Sequence, residues 1–156
     1  MSSKKEKLIE ELVREYRESG NNDRAFDNRA AERLGLNQTD LHCVNIIENT
    51  GGIGAGELAR AAGLTTGAVT GVIDRLEHAG YARRVPDPAD RRRVRVEVTP
   101  GFYEKADPIW GPLREEWGTD VAGRFTAEQL QQVIDFLRAA NELATRHLGR
   151  LADDSR

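Results

Sequence analysis

The chain has 156 residues, 38% of them hydrophobic and 31% charged, with a formal net charge of −3. That length suffices for one sizeable core, and with neither a signal peptide nor an apolar run of membrane-spanning length the expectation is a cytoplasmic protein that does not engage a membrane. One cysteine excludes an intrachain disulfide framework, and neither it nor the three histidines stands at metal-ligand spacing, so no metal or cofactor is expected.

In chain order, residues 4–34 read as a helix, with Leu8, Ile9, Leu12, Val13 and Tyr16 on one stripe and Ser19-Gly-Asn-Asn22 as an interruption or bend. Thr39 is expected to cap a helix running to about Asn49, with Leu41, Val44 and Ile47 inward. Gly51-Gly-Ile-Gly-Ala-Gly56 has the glycine frame of a phosphate loop. However, Glu57-Leu58 stand where lysine and a hydroxyl residue are required, so the segment reads as a turn with Ile53 as a brief sheet edge. Residues 55–62 form a short helix with Leu58, Ala59 and Ala62 on one face, turned at Gly63.

A second helix begins at Thr65, a capping hydroxyl. Leu64, Val69, Val72, Ile73 and Leu76 fall on one buried stripe, which leaves Thr66, Gly67, Thr70 and Gly71 outward. Such a small, hydroxyl-bearing face lets a helix sit close to base edges in a major groove, although the same residues equally suit the start of an ordinary helix. Gly80 ends that helix, and 81–86 and 93–99 then alternate as two strands around 87–92. Thr99-Pro100 opens a helix to about Gly123 that Pro108 and Gly111-Pro112 are expected to kink. Thr126 with Gln129 forms a capping-box pattern before a long helix with an apolar stripe through Leu130, Val133, Ile134, Leu137, Ala140, Ala144, Leu148 and Leu151. The charged ends, 1–7 and 152–156, are expected to fray.

Between Arg83 and Arg95 stand six arginines (83, 84, 91, 92, 93 and 95) against two aspartates, 87 and 90, in an otherwise acidic chain. Positive charge concentrated on one hairpin is the footprint of a phosphate contact, and arginine without lysine suits phosphate forks and narrow minor grooves. The expected fold class is mainly α with a small β-hairpin wing: a winged helix-turn-helix lobe, 37–99, and a helical dimerisation lobe from the N- and C-terminal segments, 1–36 and 100–156. The terminal stripes suit either a partner or the chain's own core.

Asp74-Arg75-Leu76, Gly80-Tyr81, Arg84 and Pro86-Asp-Pro-Ala-Asp-Arg-Arg92, followed by the valine-rich strand to Thr99, resemble the MarR family of bacterial transcriptional regulators. The resemblance implies a homodimeric regulator that binds double-stranded DNA at a near-palindromic operator, probing a major groove with its second motif helix and the adjacent minor groove with its wing. It gives Arg92 the wing-tip role, makes Asp90 its brace, and makes Arg75 and Arg84 supports or backbone contacts. Thr65, Thr66, Gly67 and Thr70 become groove-facing candidates, with Arg91 and Arg93 beside the tip. Gly71 departs from relatives that present a longer side chain there. An ion pair between Asp90 and Arg92 would preorganise the arginine for a groove.

The family also implies a small aromatic or phenolic effector bound where the two lobes meet, near Phe26, Arg29, Arg33, His42, Asn45 or Trp110; on its own, His42 reads as an ordinary polar residue. Cys43, beside Val44, Ile46 and Ile47, reads as a small buried hydrophobe, the alternative being a redox-responsive thiol. No nucleophile–base pairing suggests an enzyme. A winged helix acting as a protein-interaction scaffold is the other alternative.

Overall fold

The computed structural model describes residues 3–153. The elements are α1 (Lys4–Leu34), α2 (Gln38–Thr50), β1 (Ile53–Gly54), α3 (Ala55–Ala62), α4 (Thr66–His78), β2 (Ala82–Pro86), β3 (Val94–Val98), α5 (Pro100–Glu116) and α6 (Ala127–Asp153). A π-helical turn, Trp117–Val121, and a 3-10 turn, Ala122–Arg124, separate the last two helices. One compact unit extends to Ile109 and a second begins at Trp110, so the division falls inside α5.

Local chemistry starts and stops the helices of the first unit. Ser3 and Glu6 form a reciprocal capping box that starts α1, so helix begins at Lys4 within the segment expected to fray; positions 1, 2 and 154–156 lie outside the described residues. α1 is continuous through Ser19-Gly-Asn-Asn22. A glycine inside a helix costs about 1 kcal/mol without breaking it, and Asn21 Oδ1 accepts a bond of 2.6 Å from Arg24 one turn later. The cap of α2 is Asn37, not Thr39: its side chain accepts from the Asp40 N–H at 2.8 Å, leaving Thr39 inside the helix. The ends of α1 to α4 share one closure. The N–H that follows a left-handed glycine returns to a carbonyl five residues earlier, as in Leu36 to Ala31 around Gly35 and Tyr81 to Leu76 around Gly80.

The core of the first unit lies where α2, α3 and α4 meet the sheet. Val44, Ile47, Leu58, Val69, Ile73 and Leu76 are fully buried there, with Ala30, Ala31 and Leu34 of α1 and Phe102 and Ala106 of α5 also buried. The sheet is antiparallel in the order β1, β3, β2; Ile53 pairs with Val96 and Ala82 with Val98. Tyr81 ties the start of the hairpin to two helices. Its hydroxyl donates to the Leu34 carbonyl at 3.0 Å and its ring meets Phe102 edge-on at 5.7 Å.

α5 runs through Pro108, Gly111 and Pro112 without interruption. The prolines are four residues apart, so their missing bonds fall on one side of the helix and the other side carries the ladder. Regular α-helix gives way only beyond Glu116, where the π and 3-10 turns follow. In the second unit, the predicted Thr126–Gln129 capping box forms and starts α6. Among the described residues no helix is long and apolar enough to cross a membrane.

Candidate nucleic-acid interface

α4 begins where the Thr65 hydroxyl accepts from the Ala68 N–H at 3.2 Å. Val69, Val72, Ile73 and Leu76 pin it to the core, and the opposite face exposes Thr66, Gly67 and Thr70, with Gly71 half-buried. Thr70 Oγ1 donates to the Thr66 carbonyl at 2.9 Å, leaving its lone pairs outward.

Two arginine clamps fix the orientation of this helix. Arg75 grips Asp40 of α2 with Nε at 3.0 Å and Nη2 at 2.6 Å. The Asp40 side chain is 4% exposed and that of Arg75 53%. The bond to the carboxylate pushes the Arg75 pKa up, so the cation is permanent. Arg84 of β2 reaches back to α4, donating through Nη2 to Asp74 at 2.7 Å, through Nη1 to Glu77, and through its backbone N–H to Glu77 at 2.9 Å. Its pKa is also raised, chiefly by the Asp74 bond. Arg84 thus ties the β2 strand of the wing directly to α4.

The remaining hairpin arginines fall into two groups. Arg83 and Arg95 flank Glu97 at 3.6 and 3.5 Å, and Arg95 also caps the Gly51 carbonyl. At the tip, Asp87 Oδ1 accepts from the Ala89 N–H at 2.8 Å and Asp90 Oδ1 from the Arg92 N–H at 3.0 Å. Asp90 braces the turn, but through the Arg92 backbone and the Arg93 side chain, at 3.8 Å, in place of the expected ion pair with Arg92. A two-residue offset brings the backbone N–H onto the carboxylate, and that local turn wins over the longer guanidinium contact. The three tip arginines, Arg91, Arg92 and Arg93, are all exposed, whereas Arg83, Arg84 and Arg95 are each held by a carboxylate of α4 or β3.

Over 144 residues the chain is 36% identical to YcgE, an uncharacterized HTH-type transcriptional regulator of Bacillus subtilis, a match spanning 92% of this chain and 93% of the relative. The MarR family profile matches residues 36–94, from the approach to α2 to the start of β3. The chain belongs to the MarR family. A crystal structure of MarR aligns over 92% of both chains with a TM-score of 0.54 at 27% identity. The transcriptional regulator Tm0710 of Thermotoga maritima shares the fold, with a TM-score of 0.61 over 90% of this chain and 98% of its own, at 24% identity. Membership of the MarR family makes this chain a transcriptional regulator, and α3, α4 and the β2–β3 hairpin form its winged helix-turn-helix.

The residues expected near an effector divide. Phe26, Arg29 and Arg33 line a depression of about 440 Å³ with Ile109. His42 and Asn45 line another of about 190 Å³ with Arg24, Asp27 and Asn28, where burial and then Asp23 push the Asp27 pKa up. Trp110 belongs to the second unit. Cys43 is buried, as expected. Sequence reasoning did not find the carboxylate side of the clamps, Asp40, Asp74 and Glu77, although one signal was available for Asp40. It stands three, four and seven residues before Cys43, Val44 and Ile47 on an inward stripe, where a carboxylate requires a cation.

Proposed function

We propose that this MarR-family chain is a cytoplasmic, homodimeric, operator-specific repressor whose hold on DNA is released by a small aromatic or phenolic effector. The observation that carries the DNA-binding part is the Arg84 clamp, which ties an arginine-tipped wing to a helix with an exposed Thr66-Gly67-Thr70 face. Held in fixed relation, the two suit adjacent major and minor grooves, with Thr65, Thr66, Gly67 and Thr70 at base edges and Arg91, Arg92 and Arg93 at the wing. The homodimer is supported by the exposed apolar side chains of α1 and α6, and two reading helices one helical turn apart suit a near-palindromic site. Release requires an effector that binds the non-DNA conformation more tightly, since equal affinity for both shifts nothing.

Selection of the full chain against random duplex DNA at near-physiological salt tests this reading. Enrichment of a two-fold symmetric site, with half-sites about one helical turn apart, is the expected result. Salt-sensitive binding without enrichment replaces operator reading with an architectural role, and no binding at all replaces it with a protein-interaction scaffold.

A further inference from the structure

Resting on the reading of α4 as the DNA-facing helix and of Arg75 as a backbone contact, which the family resemblance already implies, we propose that Asp40 is the positioning residue that aims Arg75 at a phosphate and that Gly71 keeps the space over its guanidinium open. The asymmetry of the pair points this way. Asp40 is sunk in the core while Arg75 stays half outside, on the helix row that runs from Gly67 through Gly71 along the edge of the exposed face. The bidentate grip occupies Nε and one proton of Nη2, so Nη1 and the second Nη2 proton remain as donors in a plane already fixed. A guanidinium so held has little rotamer freedom left to lose on meeting an anion.

Gly71 lies one helical turn before Arg75. A Cβ placed there sits 3.4 Å from Nη1, so a longer side chain would cover the donors that the clamp leaves free. Arg75 stands in the C-terminal half of α4, whereas base edges are reached from the N-terminal part of a recognition helix; the anion it meets is therefore the DNA backbone. The neighbouring Asp74 is itself engaged by Arg84 at 2.7 Å.

The test is equilibrium binding of the full chain to a mixed-sequence duplex of roughly 30 base pairs across a salt series, with an unfolding curve for every variant so that only folded protein is compared. Arg75→Gln is expected to lower the slope of log affinity against log salt by about one and to weaken binding roughly tenfold at about 0.1 M salt. Asp40→Asn separates positioning from charge. Removing a negative charge beside DNA would by itself tighten binding, whereas loss of the aimed guanidinium weakens it roughly threefold or more with the salt slope unchanged. Gly71→Leu adds helix propensity, so its unfolding midpoint should not fall, yet its DNA affinity should, and by less when Arg75→Gln is already present. Asp40→Asn binding as tightly as the parent, or Arg75→Gln keeping the full salt slope, overturns the inference alone. A parent chain that binds no duplex at any salt overturns the proposed function with it.

Discussion

Asp40 and Cys43 share one face of α2, three residues apart, and both are buried, yet they answer different demands. The carboxylate is buried against a half-exposed cation from α4, which makes the pair unequal under truncation. Arg75→Ala strands a buried charge and is expected to cost about 3 kcal/mol. Asp40→Ala leaves a guanidinium that water already reaches, so it should cost less; urea unfolding of the two variants checks the order. The Cys43 thiol is pushed up by burial and then by the Asp40 charge, which together outweigh the opposing pull of Arg75. A raised thiol pKa means less thiolate, so a thiol reagent at about pH 8 should modify the native chain far more slowly than the urea-unfolded chain. Equal rates would place the thiol at the surface and reopen a redox role for it.

At the scale of elements, the wing and its helix are joined by Arg84, and the two kinds of arginine in the hairpin should separate on mutation. Arg92→Ala should weaken DNA binding and leave the unfolding midpoint where it was, since that guanidinium has no ion-pair partner among the described residues. Arg84→Ala should lower both, because it also leaves Asp74 and Glu77 unmatched. Filter binding and thermal unfolding on the same preparations check the contrast. The helix-turn-helix and its hairpin were legible because capping residues, a one-face apolar stripe and turn glycines agree from Ala55 to Thr99. The errors fell where two local choices compete. Asn37 and Thr39 both suit a cap, and the asparagine wins at the site that also ties down the Asp40 N–H. At Ser19-Gly-Asn-Asn22 the breaking propensity of glycine is overridden and α1 is not interrupted, while α5 continues through prolines that can bend a helix without ending it. The carboxylate partners of the clamps were harder still, since Asp40 and Arg75 are 35 positions apart and only the fold brings them together.

Over the whole molecule, among the described residues every buried apolar side chain lies in the unit that ends at Ile109, whereas α6 exposes Val133, Ile134, Leu137, Leu143 and Leu148 and α1 exposes Leu8, Ile9, Leu12 and Val13. In the proposed dimer those faces are covered by a second copy, which makes stability depend on protomer concentration. The unfolding temperature should therefore rise with concentration, and Leu137→Glu should shift sedimentation toward the monomer and weaken DNA binding in step; a concentration-independent midpoint with unchanged sedimentation would refute the dimer. The sheet bears on what happens before any partner is met. One edge strand, β1, is two residues long, and the other, β2, carries Arg83 and Arg84 and ends in Pro86, which has no N–H to offer. A newly synthesised chain thus presents sticky helices but blunted strand edges, so its unpaired state is biased toward helical pairing and away from strand-to-strand aggregation.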